Sequence, residues 1–599
     1  MYSLTWQFAN GRQTYMYTQT QWKLKEAVHT EKIPDLIAAL STSHSFPESL
    51  ASILTQRDVL NKDSAKLFFA PESSDLNDPY LMKGMEAAVD RIHQAYTDGE
   101  HILLFGDYDV DGTSSVALMS LFFQEWGISH DFYIPDRYSE GYGVSILGID
   151  YAEQKDTSLI ISLDCGIKAI GQVDYAKEKG MSFIVCDHHR PGAQTPAADA
   201  ILDPKQADCE YPYKELSGCG VALKLTTALH EKWISLGLEP KTKDFHPFRD
   251  LCDLATLSIA CDIVPLTGEN RIIAHFGIKK LQENPLPGIR AIMNLDKNSR
   301  KWDISDLVFF VGPRINSAGR LGSGKDAVEV LLGNDHFLLE QVKELDDSNS
   351  LRKQLDEQTT LEAIEVVEKE EGFMDKRSTV AYHPGWQKGI IGIVASRLIE
   401  RYYKPTVLFS KSGDKLVGSA RSVKGFSVYE ALEACSDHIL QFGGHKYAAG
   451  LTIEEKNLQA FTDCFEKVVS ERILPEQTVP VLYVDHLLRF SEINSRFIRL
   501  VNRMGPFGPQ NNKPVFVSEQ VKVVAYDVLK EKHIKFLLEQ DDVRWKGIAF
   551  NFAEKWNDIQ TQDVHVAFQP VFNTWRDRTQ INLNIKDIKP AHDTWYEHQ

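Results

Sequence analysis

The sequence has no apolar run approaching eighteen residues, so no membrane-spanning helix is expected. Its 8 cysteines are scattered with no CxxC pair, and buried, reduced thiols of a cytoplasmic protein are the expectation. It lacks an excess of positive charge: 66 Lys and Arg stand against 84 Asp and Glu, for a net charge of −18. That balance excludes a uniformly basic nucleic-acid binder. Any nucleic-acid role needs a local basic groove, with metal ions covering an acidic centre. The opening Met1-Tyr2-Ser3-Leu4-Thr5-Trp6-Gln7-Phe8 has no basic segment followed by an apolar core, so no signal peptide is expected. At 599 residues the chain is too long for one core, and about three or four domains are expected.

What the chain has is a conspicuous acidic turn. The apolar run His101-Ile102-Leu103-Leu104-Phe105 reads as a buried strand, and Val116 to Phe123 reads as a helix. Between them stand Asp107, Asp109 and Asp111, at the carboxyl end of the strand, where open α/β sheets place their ligands. Three carboxylates at alternate positions repel one another unless a cation neutralises them, and hard divalent cations prefer oxygen. A solvated acidic turn, or a helix cap with spare carboxylates, is the competing reading. The pattern then repeats. Leu159 to Leu163 runs into Asp164-Cys165-Gly166, and Phe183 to Cys186 runs into Asp187-His188-His189. Strands alternating with helices predict a parallel, doubly wound sheet whose strand ends converge on one edge. Adjacent histidines point in different directions, so one can ligate a metal while the other donates to a phosphate. Asp262 lies within the apolar stretch Ser258 to Leu266, where an unpaired buried carboxylate would be costly, and a metal is its natural partner.

In order and spacing, Asp107-Tyr108-Asp109-Val110-Asp111-Gly112, Asp164-Cys165-Gly166, Asp187-His188-His189 and Asp262-Ile263-Val264-Pro265 resemble the four motifs of the DHH phosphoesterases. Ser217 to Ala222, Gly312 to Arg320, His383 to Trp386 and Gly389 to Arg397 are similar to the branch of bacterial single-strand-specific DNA exonucleases. Gly443-Gly444-His445-Lys446-Tyr447-Ala448-Ala449-Gly450 resembles the signature of the DHH-associated domain. The resemblance runs from about residue 75 to the C-terminus. It implies a doubly wound DHH domain (76–336), a long connecting helix (337–372), a smaller α/β DHH-associated domain (373–475) and a C-terminal OB-fold barrel (476–599). Residues 1–75 form a helical, peripheral segment in this reading. The resemblance also implies that Asp109, Asp111, Asp164, His188 and Asp262 hold two Mn²⁺ or Mg²⁺ ions, with Asp107 a further acid of the site. His189 would contact the scissile phosphate, and Asp187 would orient the histidines. Smaller relatives carry a histidine where this chain has Phe105.

The remaining candidates are basic. Arg314 and Arg320 flank small residues of a stretch expected to be a Gly-rich loop, and Arg352 lies on the connecting helix; all three could face DNA. In the second α/β unit Arg397, Arg421 and His445 are phosphate-contact candidates, and Gly443-Gly444 is expected as a turn presenting amides ahead of a helix. Trp386 and Phe426 could stack on bases, although lone aromatics usually belong to the core. In the barrel Lys530, Lys532, Lys535, Arg544, Lys546, Trp575 and Arg576 are expected on a strand-binding face. The resemblance implies a cytoplasmic, monomeric exonuclease degrading single-stranded DNA from the 5′ end in repair and recombination, alongside a helicase and a single-strand-binding protein. The alternatives are a DHH phosphodiesterase for short oligonucleotides or cyclic dinucleotides, and a catalytically dead scaffold. The scaffold would lack ligands that this chain retains.

Overall fold

The computed structural model describes residues 20–297, 301–333, 336–575 and 578–595. The chain enters through β1 (Gln21–Leu24) and the short helices α1 (Ile33–Leu40), α2 (Glu48–Thr55) and α3 (Lys62–Phe69). Their apolar faces do not join the core beneath the acidic turn. Leu36, Leu50, Ile53 and Phe68 instead share a core with Phe490, Ile498, Phe516 and Trp556 from the far end of the chain.

Helix α4 (Met85–Asp98) leads into β2 (Ile102–Gly106), α5 (Val110–Trp126), β3 (His130–Tyr133), α6 (Ile146–Gln154), β4 (Leu159–Leu163), α7 (Ile170–Glu178), β5 (Ser182–Cys186) and β6 (Ala200–Leu202). The five strands are parallel, in the order β3-β2-β4-β5-β6. Helices cover both faces, so β2 and β4 are buried at every residue and read as unbroken apolar runs. Leu104, Phe122 and Ile161 fill one side, and Leu103, Phe105 and Phe183 the other. Strand order reverses beside β2, which opens a crevice at the carboxyl ends of β2 and β4. Helices α8 (Gly218–Ser235), α9 (Pro247–Cys261) and α10 (Gly268–Glu283) complete this unit.

Residues Gly312–Leu321, expected as a loop, form helix α11. Its glycines serve close packing: a Cβ on Gly319 would lie 2.4 Å from the carbonyl oxygen of Tyr108 in the acidic turn. The connecting helix α12 (Leu338–Glu368) follows, 31 residues long and so about 46 Å from end to end. Its Val342 and Leu345 join the core of the first unit, and its Ala363 and Val367 join that of the second.

The second unit comprises β7 (Thr379–Tyr382), α13 (Lys388–Tyr402), β8 (Thr406–Ser412), β9 (Lys415–Arg421), β10 (Gln441–His445), β11 (Ala448–Glu454) and α14 (Leu458–Arg472). Its mixed sheet has the order β10-β11-β9-β8-β7. Gly443, Gly444 and His445 therefore lie on an edge strand of a hairpin, not ahead of a helix. Ala448 to Glu454 alternates between buried and half-exposed positions, which is strand rather than helix patterning.

After β12 (Val481–Val484), which pairs in parallel with β1, and β13 (His486–Leu487), the chain closes a five-stranded barrel. Its strands are β14 (Phe516–Leu529), β15 (His533–Gln540), β16 (Val543–Ala549), β17 (Asp563–Trp575) and β18 (Arg578–Pro590), with β14 pairing to both β15 and β17. This is the expected OB-type barrel. Strand β14 is one long strand, bent where Gln520 takes φ 52°. Among the described residues no helix is long and apolar enough to cross a membrane.

Candidate metal centre and nucleic-acid groove

Each strand of the parallel sheet hands its next residues to the crevice. Asp109 caps α5: its Oδ1 accepts hydrogen bonds from the amides of Asp111 (2.9 Å) and Gly112 (3.0 Å). The cap reading is thus true of Asp109, and it uses only one of the two oxygens. Asp111 lies at the N-terminus of α8, where Oδ2 accepts from the Gly218 amide (2.8 Å) and Oδ1 from the Cys219 amide (2.8 Å) and the Ser258 hydroxyl (2.7 Å). Helix α8 therefore supplies partial positive charge to an acid that water cannot reach. Asp164 follows β4 in the left-handed region, at φ 61°. Asp262 is the C-cap of α9, with its side chain 28% exposed. The carboxylate expected within an apolar stretch thus stands at a helix end, facing the crevice.

His188 gathers these acids. Its Nδ1 lies 3.0 Å from the Leu216 carbonyl, which fixes Nδ1 as donor and turns the lone pair of Nε2 towards the site. Nε2 is 3.2 Å from Asp164 Oδ1, 3.5 Å from Asp262 Oδ2 and 3.6 Å from Asp111 Oδ2. Burial lowers the His188 pKa to about 4, so the imidazole is neutral, the form that ligates metal. Burial, then the neighbouring carboxylates, pushes Asp107, Asp109, Asp164 and Asp262 above the ordinary range. Asp107 Oδ2, Asp164 Oδ1 and His188 Nε2 are buried with no hydrogen-bond partner. Crowded acids, a neutral imidazole and orphaned ligand atoms fit a divalent cation.

His189 is held differently. Its Nδ1 is 2.7 Å from Asp187 Oδ1, and its Nε2 is 3.2 Å from the Tyr142 hydroxyl. Burial alone would lower its pKa, but the Asp187 bond outweighs burial and raises it to about 9. Asp187, despite its own burial, falls to about 2. Asp187 also accepts the amides of His188 and His189, so one carboxylate holds the backbone of both and the ring of His189. Phe105, where smaller relatives carry a histidine, packs in the sheet core against Tyr133.

A cluster of arginines lies beside the acids, where the two α/β units meet. Arg320 donates to the Gly389 carbonyl (2.9 Å), and Arg421 donates to the Ala420 carbonyl (2.9 Å); neither has a carboxylate partner among the described residues. Burial and the neighbouring Arg137, Arg352 and Arg421 lower the pKa of Arg320 to about 10. Arg352 and Arg397 share Asp356 at 3.9 and 3.7 Å. Arg314 belongs elsewhere: it is buried, pairs with Asp346 at 2.8 Å and covers the Phe310 ring. His445 faces the site from the edge strand β10, whereas Trp386 and Phe426 are buried in the second unit. In the barrel Lys530, Lys535 and Lys546 are exposed and Lys532 is half-buried, Arg544 pairs with Glu539, and Arg576 and the side chain of Trp575 lie outside the described residues.

Sequence reasoning missed Tyr142, Arg137 and Asp203. Tyr142 stands between two glycines of positive φ, a signal that could have marked it. Arg137 lies over the Tyr108 ring at 3.9 Å and donates to the Gly319 carbonyl, with nothing in its sequence surroundings to single it out. Asp203 follows β6, a fourth strand ending in an acid; the strand is only three residues long and easily overlooked.

Family models match three parts of the chain: the DHH family, N-terminal domain, over residues 101–256; the DHHA1 domain over 375–471; and the RecJ OB domain over 484–587. The single-stranded-DNA-specific exonuclease RecJ of Bacillus subtilis is 34% identical over 562 residues, covering 92% of this chain and 69% of the relative. The protein of the same description from Haemophilus influenzae is 33% identical over 529 residues, covering 86% of this chain and 92% of the relative. The crystal structure of RecJ in complex with Mn²⁺ from Thermus thermophilus superposes with a TM-score of 0.81 at 25% identity, covering 96% of this chain and 81% of that one.

Proposed function

This chain belongs to the RecJ family of single-stranded-DNA-specific exonucleases, and from that premise we propose that it cleaves nucleotides from the 5′ end of a single strand with a pair of divalent cations. The observation that carries the reading is the buried Nε2 of His188, free of hydrogen bonds and within 3.6 Å of three carboxylates. A phosphodiester is anionic and resists water; bound Mn²⁺ or Mg²⁺ supplies the Lewis acidity that hydrolysis needs.

The chain's own residues do the rest. Asp109, Asp111, Asp164, His188 and Asp262 hold the cations, with Asp164 central because its neighbours lie on every other element of the site. Asp107 adds charge from behind. His189, its Nδ1 held by Asp187, would turn its Nε2–H from the Tyr142 hydroxyl to the scissile phosphate, and the Asp187 bond favours the protonated ring. Arg320 and Arg421, with no acidic partner among the described residues, receive the strand's backbone phosphates, and Arg352 and Arg397, which share Asp356, flank them. Gly443, Gly444 and His445 line the opposite wall; nothing lies within 4 Å of where a Gly443 Cβ would be, which leaves room for a nucleotide. The exposed lysines of the barrel collect single strand beyond the groove. Such an enzyme acts on strands that a helicase has separated and a single-strand-binding protein has covered.

Digestion of oligonucleotides labelled at either end, single- or double-stranded, with Mn²⁺, Mg²⁺ or chelator, tests reaction, polarity and cofactor together. Release of the 5′ label as a mononucleotide from single strands alone is expected. Cleavage only of dinucleotides would favour a small-substrate phosphodiesterase instead.

A further inference from the structure

Asp262 is followed by a loop fastened from outside the metal centre. Ile263 adopts φ 60° and is 65% exposed. A β-branched residue in the left-handed region is strained, and its own packing does not offset that. The restraint comes from downstream. The Pro265 carbonyl accepts from the Asn270 amide (3.0 Å) and the Tyr213 hydroxyl (3.1 Å). The Leu266 amide donates to the carbonyl of Pro509 (2.8 Å), which belongs to the entry loop of the barrel. In that loop a Cβ on Gly508 would lie 3.3 Å from Leu266 Cδ2.

The entry loop is itself held by two arginines with no carboxylate partner among the described residues. Arg271, in the first turn of α10, is buried and donates to the carbonyls of Phe68 (2.8 Å), Gly505 (2.9 Å) and Pro506 (3.3 Å), with the Phe68 ring at 3.8 Å. Arg57, just past α2, donates to Asn511 Oδ1 (2.5 Å) and the Asn512 carbonyl (2.7 Å). Asn511 is buried and donates back to the Met504 and Pro506 carbonyls. Burying the Arg271 guanidinium without a counter-charge is costly, and apolar packing could join the same elements at lower cost. What directed donors add is a single allowed placement of the entry loop against Leu266.

We propose that Arg271 is a positioning residue: by fixing the barrel's entry loop against Leu266 it sets how Asp262 faces His188, so the seating of the barrel tunes metal affinity. This rests on the assignment of Asp262 as a ligand. The full chain is compared with Arg271→Leu, Arg271→Lys, Gly508→Val and Asp262→Asn. Mn²⁺ binding is read without substrate by the electron paramagnetic resonance of free Mn²⁺, and Mn²⁺ titrations of single-strand cleavage run in parallel. In Arg271→Leu the Mn²⁺ needed for half occupancy rises about tenfold, while cleavage at saturating Mn²⁺ stays within about threefold of the parent. Arg271→Lys recovers part of the affinity, because an ammonium still donates to carbonyls. Gly508→Val, which crowds Leu266 and leaves Arg271 in place, shifts Mn²⁺ binding the same way and decides the matter if Arg271→Leu does not fold. Parental Mn²⁺ affinity in Arg271→Leu or Gly508→Val, beside lost affinity in Asp262→Asn, overturns the inference alone. Parental affinity in Asp262→Asn sinks the ligand assignment, and the inference with it.

Discussion

Across the groove between the two α/β units, the imidazole of His445 stacks on that of His189, with ring centroids 6.1 Å apart and planes 14° from parallel. The first ring hangs from the edge strand of one unit and the second follows a central strand of the other. The proposed phosphate contact is therefore completed only when both units are in place. His445→Ala is expected to lower kcat/KM by about ten- to a hundredfold with Mn²⁺ binding unchanged, because a misplaced donor costs rate rather than metal. His445→Phe keeps the stack and restores most of the loss. A parental rate in His445→Ala would remove His445 from the site.

The two roles of Asp109 can be separated. Asp109→Asn keeps the cap acceptor for Asp111 and Gly112 but loses the charge. Without metal it is expected to melt no lower than the parent, because the lost charge relieves repulsion from Asp111, and it should lose at least about a hundredfold in cleavage. Asp109→Ala loses about 1 kcal/mol of stability as well, the usual worth of an N-cap. Both should retain single-strand binding by fluorescence anisotropy. Substantial cleavage by Asp109→Asn would count against its ligand role.

Arginines alike in sequence divide by partner. Arg320→Ala and Arg421→Ala remove unpaired guanidiniums, and each should weaken single-strand binding and reduce the salt slope by about 0.7. Arg314→Ala removes a buried guanidinium that bonds Asp346 and the Phe310 carbonyl and covers the Phe310 ring, so it should cost about 1–2 kcal/mol of stability with the salt slope unchanged. If Arg314→Ala alone altered the slope, the groove would be drawn in the wrong place.

The conflict between what was legible and what was not follows the same division. Acids at strand ends were legible because a parallel sheet delivers every strand end to one edge, whatever the helices between them do. Gly312 to Arg320 was not, because small residues serve equally in a loop or in a helix pressed on Tyr108, and only the neighbour decides. Gly443 to His445 mislead for a related reason: their amides belong to a hairpin whose partner strand holds Ala448 and Ala449, and Tyr447-Ala448-Ala449 suits a helix equally well. Asp262 was identified as an acid needing a partner, yet its place at a helix end depends on where α9 stops, and the apolar pattern runs on past it. No pattern within residues 20–75 could reveal that their apolar faces fit a barrel encoded hundreds of positions later.

Asp203 offers a pH test outside the metal ligands. It is buried, and burial raises its pKa to about 7 despite the Lys205 amide that it accepts. The folded chain thus binds this proton more tightly than the unfolded chain, whose value is near 3.8. Sign follows: the penalty is absent at low pH, grows as pH rises from about 4 towards 7, and is complete above that. Asp203→Asn should therefore stabilise the metal-free chain at pH 8 by on the order of a few kcal/mol and leave it unchanged near pH 4, measured by denaturant midpoints.

Metal and stability are linked through Asp164, which burial and the carboxylates of Asp111, Asp109 and Asp262 push well above the ordinary range. Removing its charge relieves repulsion, so metal-free Asp164→Asn should melt above the metal-free parent. Saturating Mn²⁺ should raise the parent's midpoint and leave that of Asp164→Asn almost unmoved, because only a ligand that binds the folded state stabilises it. An equal Mn²⁺ increment in both would place the cation elsewhere.

The shared core of the first helices and the barrel carries a consequence for synthesis. Leu36, Leu50 and Phe68 leave the ribosome long before Phe516 and Trp556 exist to cover them. Contacts so distant in sequence close late and slowly, and until then the nascent chain carries uncovered apolar helices past two units that can already fold. Chaperone demand should therefore concentrate at this segment during translation, and detaching it should leave the barrel, rather than the nuclease core, prone to aggregate.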